Sequence, residues 1–154
     1  MASTREKDLN PDIFIGLKLP LTWEEDGFFT QTKTTLKQAG YNISNLLRTI
    51  PGERLGQPLY GSRLYHILFE PMAEDINEKI ETEIKTAMGI WLPYILVNDI
   101  SITYPEGNPN HINVSIRFAL EFDPTTIDQV QIDFDTLHGD PPNTTGNEDK
   151  EGPR

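Results

Sequence analysis

Residues 49–71 read Thr-Ile-Pro-Gly-Glu-Arg-Leu-Gly-Gln-Pro-Leu-Tyr-Gly-Ser-Arg-Leu-Tyr-His-Ile-Leu-Phe-Glu-Pro, the densest run of positionally demanding residues in the chain. Gly52, Gly56 and Gly61 stand where a path must turn through φ > 0 or bring two backbones together. Pro51 and Pro58 stiffen the path between those turns. Ser62 is placed to cap a short helix whose buried side is Leu64, Ile67 and Leu68, and Pro71 helps to stop it. The segment therefore predicts a structured loop docked on a core.

Two helical patterns supply that core. Residues 35–47 carry Leu36, Ala39, Ile43, Leu46 and Leu47 at helical spacing, weakened by Gly40 and Asn42. After Pro71, Ala73, Ile76, Ile80, Ile84, Ala87, Met88 and Trp91 recur every three or four residues, with Glu74, Asp75, Glu78, Glu81 and Glu83 mostly on the opposite side. Burying each isoleucine of such a stripe contributes about 1.5–3 kcal/mol.

The period then changes to two. Ile100, Ile102 and Tyr104 alternate with polar residues, and 105–110 is rich in turn formers. Ile112, Val114, Ile116, Phe118, Leu120 and Phe122 alternate without a break, a strand of roughly 35 Å at about 3.3 Å per residue. A turn at 123–126 leads to a further strand bearing Val130, Ile132 and Phe134. Near the start, Ile13, Ile15, Leu17, Leu19 and Leu21 alternate as in an edge strand, and Trp23, Phe28 and Phe29 flank an acidic turn at 24–27. These patterns predict an α+β fold, with helices packed on one face of a small, mostly antiparallel sheet that ends in a long β-hairpin. Residues 1–12 form a flexible polar arm, 13–137 one domain, and 138–154 a disordered acidic tail.

At 154 residues the chain is large enough for one core without staples, and it contains no cysteine, hence no disulfide or thiolate metal site. With 13 basic against 24 acidic side chains the net charge is −11, which repels nucleic-acid phosphates. No apolar run is long enough to span a bilayer. The three histidines share no metal-ligand spacing, and 52–61 lacks the Gly-Lys-Ser/Thr ending of a phosphate loop, so no cofactor, nucleic-acid or membrane site is expected. From 119 to 140 the acids Glu121, Asp123, Asp128, Asp133, Asp135 and Asp140 have no lysine or arginine among them, giving either a solvated face or a surface for a basic partner.

The motif Gly52-Glu53-Arg54, Pro58, Tyr60-Gly61-Ser62 and Leu68-Phe69-Glu70-Pro71, preceded by Asn45-Leu46-Leu47-Arg48-Thr49, resembles the baseplate wedge and sheath-initiator proteins of contractile-tailed bacteriophages. That family has relatives in type VI secretion baseplates, and the likeness extends more weakly over residues 10–135. It implies a non-enzymatic virion protein, assembled in the host cytoplasm, that joins wedge proteins around the tail tube and templates sheath polymerisation. The implied partners are wedge proteins, the sheath subunit and tail tube proteins. The implied wedge contacts are Glu53, Arg54, Arg63, Leu92, Pro93 and Tyr94. The sheath contacts are the strand Val130, Gln131, Ile132, Asp133 and Phe134, and the structural loop residues are Gly52, Gly56, Gly61, Glu70 and Pro71. One departure affects the wedge set: family members carry Glu-Pro-Arg where this chain has Leu92-Pro93-Tyr94, so the contact here becomes apolar or aromatic, or moves to Glu53, Arg54 and Arg63.

Two other functions are compatible with the residues. Glu53 and Glu70 could form the carboxylate pair of a peptidoglycan-degrading hydrolase, which needs a separation of roughly 5–10 Å. Against it, Arg54 beside Glu53 favours an ionised carboxylate, and Glu70 before Pro71 suits a structural role. A neck or tail-terminator ring subunit is the third.

Overall fold

The computed structural model describes residues 8, 10, 12–23, 28–68, 75–105 and 111–135. Among the described residues, three helices of five residues or more lie against a three-stranded antiparallel sheet, and a small two-stranded hairpin precedes them. We label the elements β1 (Gly16–Leu17), β2 (Gln31–Thr32), α1 (Thr35–Arg48), α2 (Leu64–Leu68), α3 (Ile76–Trp91), β3 (Ile95–Thr103), β4 (His111–Leu120) and β5 (Asp123–Asp135).

Helix α1 starts where two side chains take up its free N–H groups. The Thr34 hydroxyl accepts from the Lys37 N–H at 3.4 Å, and the Asp8 carboxylate accepts from the Thr35 N–H and hydroxyl at 3.0 and 2.7 Å. Asp8 belongs to the stretch expected to be a flexible arm, and it closes the helix terminus. The buried face of α1 is Ala39, Ile43, Leu46 and Leu47, and that of α3 is Ile76, Ile80, Ile84, Ala87 and Met88, as their spacing predicts. On the outer face of α3, Lys79–Asp75 and Lys85–Glu81 pair at 3.2 and 3.1 Å; such half-exposed i,i+4 pairs contribute about 0.3–0.5 kcal/mol each.

The sheet order is β3-β4-β5, so the longest alternating pattern occupies the central strand. Its inner face carries Ile112, Val114, Ile116 and Phe118 beside Ile132 and Phe134 of β5, all buried in one cluster with the helices. Polar partners Asn113, Ser115 and Arg117 lie on the other face.

The structure departs from the sequence reading in its secondary structure as follows. The β4–β5 turn lies at Glu121 and Phe122, with Leu120 paired to Asp123, so the strand expected to reach Phe122 ends two residues earlier. Residues 123–126, expected as the turn, belong to β5. The Thr125 and Thr126 hydroxyls each donate to the Asp123 carboxylate at 2.7 Å, and Pro124 lies in an edge strand, where a proline is tolerated. Within 13–21 only Gly16 and Leu17 enter a strand, flanked by the Ile15 and Lys18 N–H groups donating to the Thr32 and Thr30 carbonyls at 2.8 and 2.9 Å, and Pro20 offers no N–H with which to continue it. Ser62 does not cap α2: its hydroxyl donates to the Leu47 carbonyl at 3.1 Å. Ala73, Glu70, Pro71 and the tail 138–154 lie outside the described residues.

Candidate partner-binding surfaces

The loop between α1 and α2 is closed by its own backbone. The Gly52 N–H donates to the Pro58 carbonyl at 2.7 Å, the Glu53 N–H to Ile50 at 3.1 Å, and the Tyr60 N–H to Gln57 at 3.0 Å. Gly52 at φ +105° and Gly61 at φ +132° occupy the region that favours glycine. At Gly61 a side chain would also strike the Thr49 carbonyl, which accepts the Ser62 N–H at 2.9 Å. Gly56 meets neither condition expected of it: its φ is not positive, and a Cβ there would point into open space.

Glu53 folds back on this loop, its Oε2 accepting the Ile50 N–H at 3.0 Å. Arg54 turns away from it and lies over the Tyr60 ring, 3.9 Å from the centroid, and Tyr60 meets Trp91 edge-on at 5.2 Å. Burial raises the Tyr60 phenol above its ordinary range, Arg54 lowers it, and Tyr94 is near enough to raise it. The Tyr94 hydroxyl accepts from Asn42 at 3.0 Å, and its carbonyl accepts the Glu121 N–H at 3.0 Å, tying the end of α3 to the β4–β5 turn. Arg54, Tyr60, Trp91 and Tyr94 thus form one aromatic-basic ledge. Beyond it the loop projects Leu55, fully exposed, and Leu59. Sequence reasoning assigned Trp91 to the core and gave Tyr60 no role; the edge-on aromatic pair across 31 positions has no periodic signature.

Leu92 corrects the expected wedge set. It is 6 % exposed and part of the core, so the turn offers a partner Pro93 and Tyr94 only. Arg63 is exposed, and its N–H donates to Glu83 on α3 at 2.8 Å, which fixes the start of α2.

Arg48 lies half-buried at the end of α1, close to Tyr65 and Asp133, and its Nε has no hydrogen-bond partner. Burial lowers its pKa, and Tyr65 and Asp133 oppose that shift. Tyr65 meets Phe134 edge-on at 5.4 Å, and its own phenol is raised by burial.

On β5, Ile132 and Phe134 are buried, so their side chains serve the core; of the expected sheath contacts Gln131 is exposed, as are Ile127 and Gln129 earlier on the strand. Asp133 accepts from its cross-strand neighbour Asn113 and stands 3.9 Å from His111. It is held by its own sheet. One long edge of β5 pairs with β4, and among the described residues no strand covers the other.

Of the proposed hydrolase pair, Glu53 is exposed and bonded within its loop, and Glu70 lies outside the described residues. Among the described residues no three His, Asp or Glu side chains are grouped to hold a metal ion. No described helix is long and apolar enough to cross a membrane.

A family model described as baseplate wedge protein gp25 matches residues 40–125, more than half of the chain, from α1 into β5. Two solved structures share the fold. A chain in the sixfold-symmetrised baseplate of the anti-feeding prophage is 20% identical, with a TM-score of 0.60 over 68% of this chain and 83% of that one. A protein described as a candidate tail lysozyme from Geobacter sulfurreducens is 19% identical, with a TM-score of 0.62 over 71% of this chain and 97% of that one. Comparison with curated protein sequences returns no match.

Proposed function

The chain belongs to the baseplate wedge protein gp25 family, and from that premise we propose that it joins wedge proteins around the tail tube and templates the first ring of sheath through β5. As a member of the family it is a structural component of a contractile-tail baseplate. The finer assignment is supported chiefly by the open edge of β5, a strand of 13 residues running alongside β4. Such an edge presents a row of N–H and C=O groups to any chain of matching register. In this reading backbone hydrogen bonds give affinity to an incoming sheath strand, and Gln131 on the exposed side helps to fix register.

The wedge contact falls on the aromatic-basic ledge. Arg54, its guanidinium carbon 3.9 Å from the centroid of the Tyr60 ring, supplies the charge, and Leu55 and Leu59 supply apolar area. Loss of the family's Glu-Pro-Arg charges at Leu92-Pro93-Tyr94 is compensated here by Arg54 and the ring of Tyr94. Residues 13–137 act as the wedge domain, assembled in the host cytoplasm into the virion tail.

We assign no hydrolytic step to Glu53, which is engaged with the Ile50 N–H within its own loop. A turbidity assay on purified cell walls separates the readings: the scaffold clears them no faster than buffer, and clearing abolished by Glu53→Gln would establish the hydrolase. Co-purification with neighbouring tail proteins distinguishes a wedge from a terminator ring, since only a wedge component brings down baseplate proteins.

A further inference from the structure

A row of polar side chains along α1 ends on the aromatic-basic ledge. The Thr32 hydroxyl of β2 donates to Gln38 Oε1 at 2.5 Å, Gln38 Nε2 donates to Asn42 Oδ1 at 3.0 Å, and Asn42 Nδ2 donates to the Tyr94 hydroxyl at 3.0 Å. Gln38 and Asn42 are four apart on the helix, so their amides follow one another along one face. Each link orients the next: with its carbonyl oxygen turned to Gln38, Asn42 presents its NH2 group to Tyr94. The Tyr94 hydroxyl therefore accepts from α1 and keeps its own proton to give. Asn45, about one turn further on, acts on the Tyr60 hydroxyl in the same sense, its hydrogen bond lowering the phenol pKa.

What the ledge lacks is an acceptor. Arginine carries donors only, and each of the two hydroxyls has a lone pair engaged and a proton to spare. Among the described residues Arg54 has no ion pair, and no carboxylate is among the groups that act on Tyr60. Glu53, next to Arg54 in the chain, acts on Tyr65 instead, and its Oε2 holds the Ile50 N–H. Glu121, tied to the Tyr94 carbonyl through its own N–H, is exposed and does not act on Tyr60 either. We propose that the ledge receives the carboxylate of an aspartate or glutamate side chain on a wedge partner, held by Arg54 and by the hydroxyls of Tyr94 and Tyr60. The proposal rests on the reading of the ledge as the wedge contact. A carboxylate offers acceptors to a guanidinium and a hydroxyl together and balances the charge of Arg54, which a neutral carbonyl does not. Leu55 and Leu59 beside it exclude water once a partner is seated. A polyanion such as nucleic acid is repelled by the net charge of −11, whereas a single carboxylate meets the local donors.

The test compares the recovery of wedge proteins with the full chain carrying Arg54→Ala, Tyr94→Phe, Asn42→Ala or Asn42→Asp, each variant first shown to melt cooperatively. Tyr94→Phe removes the hydroxyl proton, and Asn42→Ala leaves it in place. Asn42→Asp still accepts from Gln38 but takes the Tyr94 proton for itself. Tyr94→Phe and Asn42→Asp should each lower recovery about tenfold or more, the effect of one hydrogen bond to a charged group, and Asn42→Ala about twofold or less. Equal losses in Asn42→Ala and Tyr94→Phe would mark their bond as merely structural and overturn the proposal, as would full recovery with Asn42→Asp. Recovery lost with Arg54→Ala but kept with Tyr94→Phe overturns it and leaves the ledge as the wedge contact; recovery kept with Arg54→Ala overturns both. Carbodiimide coupling on purified baseplates that contain the R54K variant then identifies the acid. The expected amide joins position 54 to an aspartate or glutamate of another protein, and a product confined to acids of this chain, or no product, overturns the proposal.

Discussion

Gly61 and Thr49 approach backbone to backbone: the Thr49 carbonyl that accepts the Ser62 N–H occupies the place a Gly61 side chain would need. This contact fastens the return of the loop to the end of α1. Gly61 also sits at φ +132°, so Gly61→Val adds strain to a clash. The substitution should lower stability by about 1–3 kcal/mol, read as a shift of the urea denaturation midpoint, and an unaltered midpoint would refute the assignment. Gly56→Ala, at a position with open space and no positive φ, should leave the midpoint within error.

Arg54 lies on the rim of the fold, so its stacking on Tyr60 should matter more to a partner than to the isolated chain. A partly exposed cation–π contact contributes about 0.5–1 kcal/mol, which for a chain of this size is a melting shift of no more than about 4 °C. Arg54→Ala should remain within that shift and yet reduce co-purification with wedge proteins at least tenfold. A large loss of melting temperature with binding intact would make Arg54 a structural tether instead.

Burial raises the phenols of Tyr60 and Tyr65 above their ordinary value of 10.0. The folded chain therefore holds these protons while the unfolded chain releases them. Their contribution to stability is complete below the unfolded value and declines as pH rises through it toward the folded one. Denaturation midpoints measured from about pH 9 to about pH 11 should fall, and Tyr65→Phe, which keeps the ring against Phe134, should flatten the decline. A slope identical in Tyr65→Phe and the unaltered protein would contradict this origin.

The elements with long, uninterrupted periods were legible in the sequence. Helix α1 and strand β4 appear within a residue or two of where Leu36–Leu47 and Ile112–Phe122 predict them, because burial on one face imposes the period. What escaped was decided by single polar side chains. Asp123 binds two threonine hydroxyls that read as turn formers, and so the hairpin turns two residues earlier than expected. Ser62 reads equally well as a helix cap or as a donor to a distant carbonyl, and only the approach of Leu47 selects the second. The aromatic-basic ledge was half legible: Arg54 could be named from its motif, whereas its support by Tyr60 and Trp91 depends on tertiary packing. Leu92 was misplaced because a proline turn hides which of its neighbours points inward.

The central claim is that the free edge of β5 templates sheath. Neighbouring residues of a strand point their N–H groups to opposite edges, so of Val130→Pro and Gln131→Pro one removes an outward donor and the other a bond to β4. The variant that keeps the melting temperature of the unaltered protein identifies the outward position. Particles carrying that variant are then imaged by electron microscopy, with the protein quantified in the purified baseplates. The account predicts baseplates that contain the variant in full amount and bear no sheath; sheaths of normal length on those same baseplates would contradict it.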